Sequence, residues 1–273
     1  MEGSVDLTDV QFVKLGGSVI TDKTRAYRPR HDVIARLAGE VRAALDADPD
    51  LRLLLGHGSG SFGHWAAEPY GTERGVRTPA EWRGYAEVAA AAGQLNRIVT
   101  DAFLDAGVPV VSLQPSASVR CRDGVVTHLS LRPIREVLKK ELVPLVYGDV
   151  ALDDVRGGTI ASTEDLFVYL ADAFRPSRIL LLSRVPGVLD ENGEVIPTIT
   201  PERHAGLQEA FSRARGVDVT GGMADKVARM VDLVQRHPET KVRIMMGTQP
   251  GLLRDVLLDG ERRAGTEIVA GQI

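Results

Sequence analysis

Three glycine-rich segments, each with a lysine or a histidine beside the glycines, are the parts of this chain best suited to chemistry. Glycine allows backbone N–H groups to come close to a bound group, and the N–H groups at the start of a helix bind anions. A lysine beside such a turn neutralises phosphate oxygens as a point charge. The three segments are Lys14–Ser18, Gly56–His64, and Val219–Met223 with Lys226 shortly after it.

The second segment, Gly56–His64, reads GHGSGSFGH and follows the apolar run Leu51–Leu55, which is typical of a buried strand. If a helix begins after the glycines, its free N–H groups form a phosphate site. His64 then offers a proton-bearing side chain beside the anion. A tight turn without a ligand is the alternative, but the glycines are too dense for a single turn. We therefore predict a phosphate site here.

Two well-known nucleotide-binding motifs match this segment only in part. Gly58–Gly63 formally satisfies G-x-G-x-x-G, but that motif also requires a strand ending in Asp or Glu about 20 residues later. Residues 78–92 start a helix instead. As a P-loop, the segment carries His64 and Trp65 where Lys and Ser or Thr are required. We reject both interpretations.

A phosphoryl transfer fits the three segments better. It requires two reactants held in line and neutralisation of the charge on the moving phosphoryl group, with little covalent chemistry from the protein. One glycine segment can hold a nucleotide and another its acceptor, with lysines between them. Lys23, in a basic loop after the first segment, is a further lysine that we expect at the site.

The elements that must position these residues follow a strand–helix–strand order. Val10–Leu15 is a predicted strand, and Asp32 is the predicted N-cap of a helix with apolar residues from Ile34 to Leu45. Leu51 starts the next strand. This order is typical of a parallel sheet, in which ligands bind beyond the carboxyl ends of the strands. The first two glycine segments both lie at those ends.

The rest of the chain continues in the same way. Thr78–Glu81 has the form of a capping box, Arg122–Val125 is a hairpin signal, and Thr163–Asp165 opens an apolar helix that runs to Phe174. Because no linker or repeat divides the chain, we predict a single domain over residues 1–273. Further strands are predicted at Val108–Leu113, Val143–Tyr147, Ile179–Leu182 and Val242–Met246, with a surface hairpin between Asp153 and Gly158.

Composition excludes several classes of protein. The formal net charge of −4 argues against nucleic-acid binding, and the single cysteine, Cys121, rules out a disulfide framework and a cysteine-based metal site. No apolar run reaches the length of a membrane span. The acidic N-terminus lacks the features of a signal peptide. We expect a cytoplasmic protein that acts on a small molecule.

These motifs together resemble the amino acid kinase superfamily, and within it the isopentenyl phosphate kinases. The resemblance runs from about Phe12 to Ile268, which is nearly the whole chain. It rests on Lys14–Ser18, on Lys23 after Thr21-Asp22, on Ser61–His64, on Gln114–Ala117, on Thr220–Met223 with Lys226, and on Gly265–Ile268.

The resemblance implies an α/β fold, a three-layer αβα sandwich around a mainly parallel central sheet. It also implies transfer of the ATP γ-phosphoryl group to isopentenyl phosphate, and a homodimer. The acceptor site would lie in the N-terminal part of the chain and the nucleotide site in residues 175–273. Mg²⁺ would be held mainly by the phosphates and not by protein side chains.

The resemblance further implies roles for single residues. Lys14, Lys23 and Lys226 would contact ATP phosphates, Asp165 would orient these lysines, and His64 would hydrogen-bond the acceptor phosphate. The other residues expected to contact ATP are Gly16, Gly17, Ser18, Gly60, Ser183 and Gly222, and those expected to contact the acceptor are Ser59, Gly60, Gly63, Gly148 and Thr163.

The chain departs from the superfamily pattern at two positions, and the acceptor stays open. Ser59 replaces a glycine, which keeps the N–H group, and Arg184 stands where relatives often have Asp. A fosfomycin kinase is the alternative enzyme, because its acceptor also presents a phosphonate-type anion. Acetylglutamate and aspartate kinases fit less well, since His64 suits a phosphate better than a carboxylate. A nucleotide-binding storage or sensor protein without turnover is the non-enzymatic alternative.

Overall fold

The computed structural model describes residues 9–206 and 221–271, in which strands and helices alternate along most of the chain. The helices are α1 (Gly17–Ile20), α2 (His31–Ala47), α3 (Gly60–Ala67), α4 (Pro79–Asp105), α5 (Leu131–Lys139), α6 (Thr163–Phe174), α7 (residues 201–206), α8 (Gly221–Arg236) and α9 (Leu252–Leu258). The strands are β1 (Val10–Leu15), β2 (Arg52–His57), β3 (Val110–Ser112), β4 (Arg120–Arg122), β5 (Val125–His128), β6 (Val143–Tyr147), β7 (Asp149–Asp153), β8 (Gly157–Ala161), β9 (Arg178–Ser183), β10 (Thr198–Ile199), β11 (Lys241–Met246) and β12 (Thr266–Ile268).

Eight of these strands form one large sheet in the order β10-β12-β11-β9-β1-β2-β6-β3. Every neighbouring pair in it is parallel except β11 with β12. The prediction of a mainly parallel sheet is therefore confirmed. A second, four-stranded sheet in the order β5-β4-β7-β8 lies beside it.

Helices cover both faces of the large sheet, because its central strands are apolar on both sides. Along β1, Val13 and Leu15 belong to one buried cluster, whereas Val10 and Phe12 belong to another. The first cluster includes side chains of α2, α4 and α9, and the second includes side chains of α5, α6 and α8. This is the three-layer αβα sandwich that the resemblance implied.

The carboxyl ends of the central strands lie side by side. Leu15 at the end of β1 pairs with His57 at the end of β2, and His57 pairs with Tyr147 at the end of β6. The chain enters α1 directly after β1 and α3 shortly after β2. The first two glycine segments therefore meet at one edge of the sheet.

Direct contact between these two segments explains their glycines. A Cβ atom on Gly17 would lie 2.6 Å from the backbone nitrogen of Gly60, and Gly60 itself has a φ of +52°. Thr21 joins the segments further, since its hydroxyl accepts a 2.9 Å hydrogen bond from the Ser61 N–H group and donates to the Gly17 carbonyl. Side chains at either glycine would push the two turns apart.

Most of the local predictions are confirmed, with one exception. Thr78 and Glu81 form the capping box at the start of α4, and hairpins lie at the two predicted places. The predicted N-cap of α2 is wrong: the N-cap residue is Arg30 and not Asp32. Asp32 lies in the first turn, where its negative charge interacts favourably with the helix dipole. Val219 and Thr220 of the third glycine segment lie outside the described residues. None of the described helices is both long and apolar enough to span a bilayer.

Candidate active site

A cleft of about 770 Å³ opens at the carboxyl ends of β1, β2 and β9. Fourteen of the fifteen residues predicted for the site line this one cleft, and Asp165 is the exception. The cleft-lining residues are Lys14, Gly16, Gly17, Ser18, Lys23, Ser59, Gly60, Gly63, His64, Gly148, Thr163, Ser183, Gly222 and Lys226.

A buried carboxylate joins the two lysines that lie deepest in the cleft. Lys14 near the end of β1 forms an ion pair with Glu164, and Nζ of Lys226 lies 3.8 Å from Oε1 of the same carboxylate. Burial opposes the ionisation of Glu164, but the two lysines outweigh this effect and lower its pKa to about 2. The result is a fixed cluster of two cations and one anion, which has net positive charge.

Burial raises the pKa of a carboxyl group but lowers that of an ammonium group. It therefore lowers the pKa of Lys226, because a buried cation is poorly solvated, whereas the Glu164 carboxylate partly restores it. A bound polyphosphate would supply the negative charge that the cluster lacks. The cluster is therefore suited to anion binding.

Asp165, which was predicted to orient the lysines, does not contact them, because the carboxylate between them belongs to the preceding residue, Glu164. Asp165 belongs to the capping box of α6, in which its Oδ2 atom accepts hydrogen bonds from the hydroxyl and the N–H group of Ser162. Its Oδ1 atom lies 3.0 Å from Arg229 of α8. The helix start thus turns Asp165 away from the cleft and Glu164 into it.

His64 and Lys23 approach the cleft from its exposed side. His64 lies in the first turns of α3, next to Ser59, Gly60 and Gly63 at the start of that helix. Lys23 lies in the loop between α1 and α2, which is closed by a bridge between Thr21 and Pro29. Both side chains can therefore reach a ligand that rests on the glycine turns.

The comparisons with known proteins agree with this geometry. The family model described as "Amino acid kinase family" matches residues 9–245. The chain belongs to the amino acid kinase family. It is 35% identical over 232 residues to an isopentenyl phosphate kinase of Methanocaldococcus jannaschii, which covers 83% of this chain and 86% of the relative. It is 37% identical over 246 residues to that of Haloferax volcanii, covering 88% and 96%.

A solved structure shares the fold as well. The structure titled "X-ray structures of isopentenyl phosphate kinase" superposes with a TM-score of 0.80 and 29% sequence identity. The match covers 95% of this chain and all of the other. The three-layer architecture is therefore that of an amino acid kinase.

Behind the lining of the cleft in this kinase lies a fully buried histidine, His57, that sequence reasoning did not single out. The His57 carbonyl accepts hydrogen bonds from the Thr163 hydroxyl at 2.6 Å and from the Gly148 N–H group at 3.0 Å. Its ring stacks on Tyr147, and burial lowers its pKa to about 4. His57 is thus a neutral, structural residue that links three strand ends.

Arg184 also lines the cleft, directly after Ser183 at the end of β9. Its side chain is exposed and borders the cleft, so a cation stands where the resemblance led us to expect Asp. Among the described residues, no group of three or more His, Cys, Asp or Glu side chains could hold a metal ion.

Proposed function

We propose that this chain transfers the γ-phosphoryl group of ATP to isopentenyl phosphate, which yields isopentenyl diphosphate and ADP. The observation that carries the proposal is the joint placement of the Lys14–Glu164–Lys226 cluster and His64 in one cleft. A cationic cluster at one position of the cleft and a hydrogen-bonding imidazole at another suit two anionic reactants that meet end to end. The relatives named isopentenyl phosphate kinase support this choice of acceptor.

In this proposal ATP lies between β9 and α8. Lys14 and Lys226 contact its terminal phosphates, Lys23 approaches from the exposed side, and the N–H groups of Gly16, Gly17 and Gly222 line its path. Arg184 and Ser183 border the far end of this path. Fixed cations that neutralise the moving phosphoryl group supply most of the rate enhancement in reactions of this kind.

The acceptor phosphate lies at the start of α3. Backbone N–H groups near Ser59, Gly60 and Gly63 and the ring of His64 bind it, and Gly148 and Thr163 border it. A phosphate monoester is largely ionised near neutral pH, so the attacking oxygen needs no general base. This oxygen forms the new bond to the γ-phosphorus, while the bond to the β–γ bridging oxygen breaks and ADP keeps the electron pair.

Mg²⁺ belongs to the proposal as a partner of the nucleotide, and ATP phosphates are its main ligands. When bound, it neutralises phosphate charge beside the lysines. The net positive charge of the lysine cluster suits this arrangement, as does the finding that no group of three or more His, Cys, Asp or Glu side chains in the described part of the chain could hold a metal ion. We also propose a single domain, with the nucleotide part in residues 175–273, that forms a cytoplasmic homodimer.

An acceptor screen tests the proposed activity. ADP release from Mg-ATP is measured in parallel with isopentenyl phosphate, dimethylallyl phosphate, fosfomycin and N-acetylglutamate. We expect the highest kcat/KM with isopentenyl phosphate. Preference for fosfomycin would favour a fosfomycin kinase. Absence of ADP release with every acceptor would favour a binding protein without turnover.

His64→Ala tests the acceptor side of the cleft. Loss of a donor that binds the transferred charge lowers turnover by about 10²-fold, so we expect a fall of that size with isopentenyl phosphate. His128→Ala is the matched control, because His128 is an exposed histidine on β5 outside the cleft. Equal turnover in His64→Ala and the control would remove His64 from the mechanism.

A further inference from the structure

Ion pairs join α6 and α8 along their length. Glu164 faces Lys226 at 3.8 Å, Asp165 faces Arg229 at 3.0 Å, and Asp172 faces Arg236 at 2.5 Å. The first of these pairs lies in the cleft and the third lies near the far end of both helices. The second pair therefore lies between the active-site lysine and the remainder of the helix that carries it.

The Asp165–Arg229 pair is held firmly on the α6 side. Oδ2 of Asp165 is fixed by the hydroxyl of Ser162, the N-cap of α6, which leaves Oδ1 for Arg229. Nη1 of Arg229 also lies 3.3 Å from the Ser162 hydroxyl oxygen. Ser162 itself lines the cleft. The guanidinium group is therefore bound directly at the wall of the active site.

On the α8 side, Arg229 follows Lys226 by three residues. Residues at this spacing lie on the same face of a helix, about one turn apart. Two adjacent acidic residues of α6, Glu164 and Asp165, thus face two basic residues on neighbouring turns of α8. A shift of α8 along its axis would change both contacts together.

Two kinds of contact hold α8 in place: apolar packing against the sheet and ion pairs with α6. Val227, Met230, Val231 and Val234 are buried against the sheet, and they determine which face of α8 points inward. The Lys226–Glu164 contact is long, and a lysine side chain is flexible. The Asp165–Arg229 contact is shorter, its guanidinium is planar and rigid, and it lies one turn from Lys226, whereas Arg236 lies ten residues away. It is therefore the better candidate for setting the height of the helix at Lys226.

We propose that the Asp165–Arg229 ion pair is a positioning device that sets the location of Lys226 in the cleft. Asp165 acts on Lys226 through the helix and makes no direct contact with a lysine. The inference rests on the proposed kinase function. It predicts that loss of the pair lowers kcat, because reacting groups displaced by about 1 Å can lose up to 10²-fold in rate.

Arg229→Gln and Arg236→Gln form a matched pair of variants. Both arginines join α8 to α6, and their side chains are 46% and 45% exposed. Ion pairs this exposed contribute little to stability, so we expect the two variants to unfold within about 2 °C of one another. We expect kcat to fall about tenfold or more in Arg229→Gln, with little change in the KM for the acceptor. In Arg236→Gln we expect kcat within about twofold of the wild type.

Two further variants identify the pair as the cause. Asp165→Asn keeps a side-chain oxygen for the Ser162 N–H group and removes the charge that faces Arg229. The double variant Asp165→Asn/Arg229→Gln should lose no more activity than Arg229→Gln alone, because both changes break one contact. Arg229→Lys keeps the positive charge that faces Asp165, so its kcat should lie between those of Arg229→Gln and the wild type.

The outcomes separate this inference from the proposed function. Wild-type enzyme that releases no ADP with any acceptor would refute the function. Active wild-type enzyme whose kcat is equal in Arg229→Gln and Arg236→Gln would refute the positioning role alone. Additive losses in the double variant would also refute it, because Asp165 and Arg229 would then act separately.

Discussion

Glu164 is the residue on which the charge balance of the cleft depends. It is the carboxylate that faces both Lys14 and Lys226, and it stays ionised because those lysines lower its pKa to about 2. Without it, two buried ammonium groups would face one another with no anion between them. Its role is therefore to balance the charge of both lysines and to hold them in place.

Glu164→Gln should lower kcat by about 10²-fold, since it leaves uncompensated buried charge and misplaces the phosphate contacts. It should also move the loss of activity at alkaline pH to a lower pH, because the pKa of Lys226 is already lowered by burial and would lose the opposing effect of Glu164. Profiles of kcat against pH from 6 to 10 measure this shift. Glu164→Asp is the control that keeps the charge, and an unchanged alkaline limb in Glu164→Gln would contradict the argument.

Nearly all the residues predicted for the site line the cleft, but the carboxylate of α6 that contacts the lysines is Glu164 and not the predicted Asp165. Lysines beside glycine turns are recognisable because each segment is local in sequence and lies at a strand end. The choice between Glu164 and Asp165 depends on which one faces the cleft. The sequence does contain a pattern that distinguishes them: Ser162 and Asp165 stand three residues apart, as in a capping box. Asp165 therefore hydrogen-bonds the start of α6 and is not available to the lysines.

At the scale of elements, the contact between the turn after β1 and the start of α3 shapes the proposed phosphate site. Gly17 and Gly60 touch across it, and a Cβ atom on Gly60 would lie 2.7 Å from the Gly17 carbonyl oxygen. Gly60 also has a positive φ, which costs an L-residue about 1 kcal/mol or more. The two turns can therefore be this close only without side chains.

Gly60→Ala should lower both the melting temperature and kcat, because the new methyl group separates α1 from α3 and displaces the N–H groups. Gly39→Ala is the control: nothing lies within 4 Å of the added Cβ in the middle of α2, and alanine favours a helix by about 0.5–1 kcal/mol. We expect Gly39→Ala to raise the melting temperature slightly at unchanged kcat. Thermal unfolding and ADP release measure both effects. A Gly60→Ala variant that behaves like Gly39→Ala would contradict the packing argument.

Local elements were predictable, whereas their assembly into two sheets was not. The hairpin at Asp123-Gly124 follows from residues that tolerate positive φ, and both have it. The parallel pairing of Arg120 in β4 with Leu152 in β7 joins residues far apart in sequence. No local pattern specifies that pairing, so the second sheet could not be predicted from periodicity.

At the scale of the whole molecule, the active site is assembled by the register of the parallel sheet. Leu15, His57 and Tyr147 end neighbouring strands at one level, so residues from distant parts of the chain reach one cleft. His57 connects these ends, as its ring stacks on Tyr147 and its nitrogens lie 3.1 Å from the Gly58 carbonyl oxygen and 3.2 Å from the Asn96 side-chain oxygen. Global stability should therefore respond to the protonation of His57.

The direction of that response follows from its pKa. Burial lowers the pKa of His57 from 6.5 to about 4, so between these pH values the unfolded chain binds more protons than the folded one. Stability must then fall as the pH drops from 6.5 to 4 and level off below that, as far as His57 is concerned. The contribution of Glu164, whose pKa is lowered to about 2 from 4.5, is lost only below pH 4.5. The two pH ranges barely overlap.

We expect the free energy of unfolding to fall by about 2 kcal/mol between pH 7.5 and pH 5 because of His57. In His57→Gln this fall should be largely absent, even if the variant is less stable at both pH values, because glutamine does not titrate. Urea unfolding at each pH gives the free energy of unfolding, and the fall is the difference between the two values. The loss of ring stacking in the variant is the same at both pH values, so it cancels in this difference. His31→Gln, a change at an exposed histidine of α2, should keep the full fall. An equal fall in His57→Gln and the wild type would show that the buried ring does not link acid to unfolding.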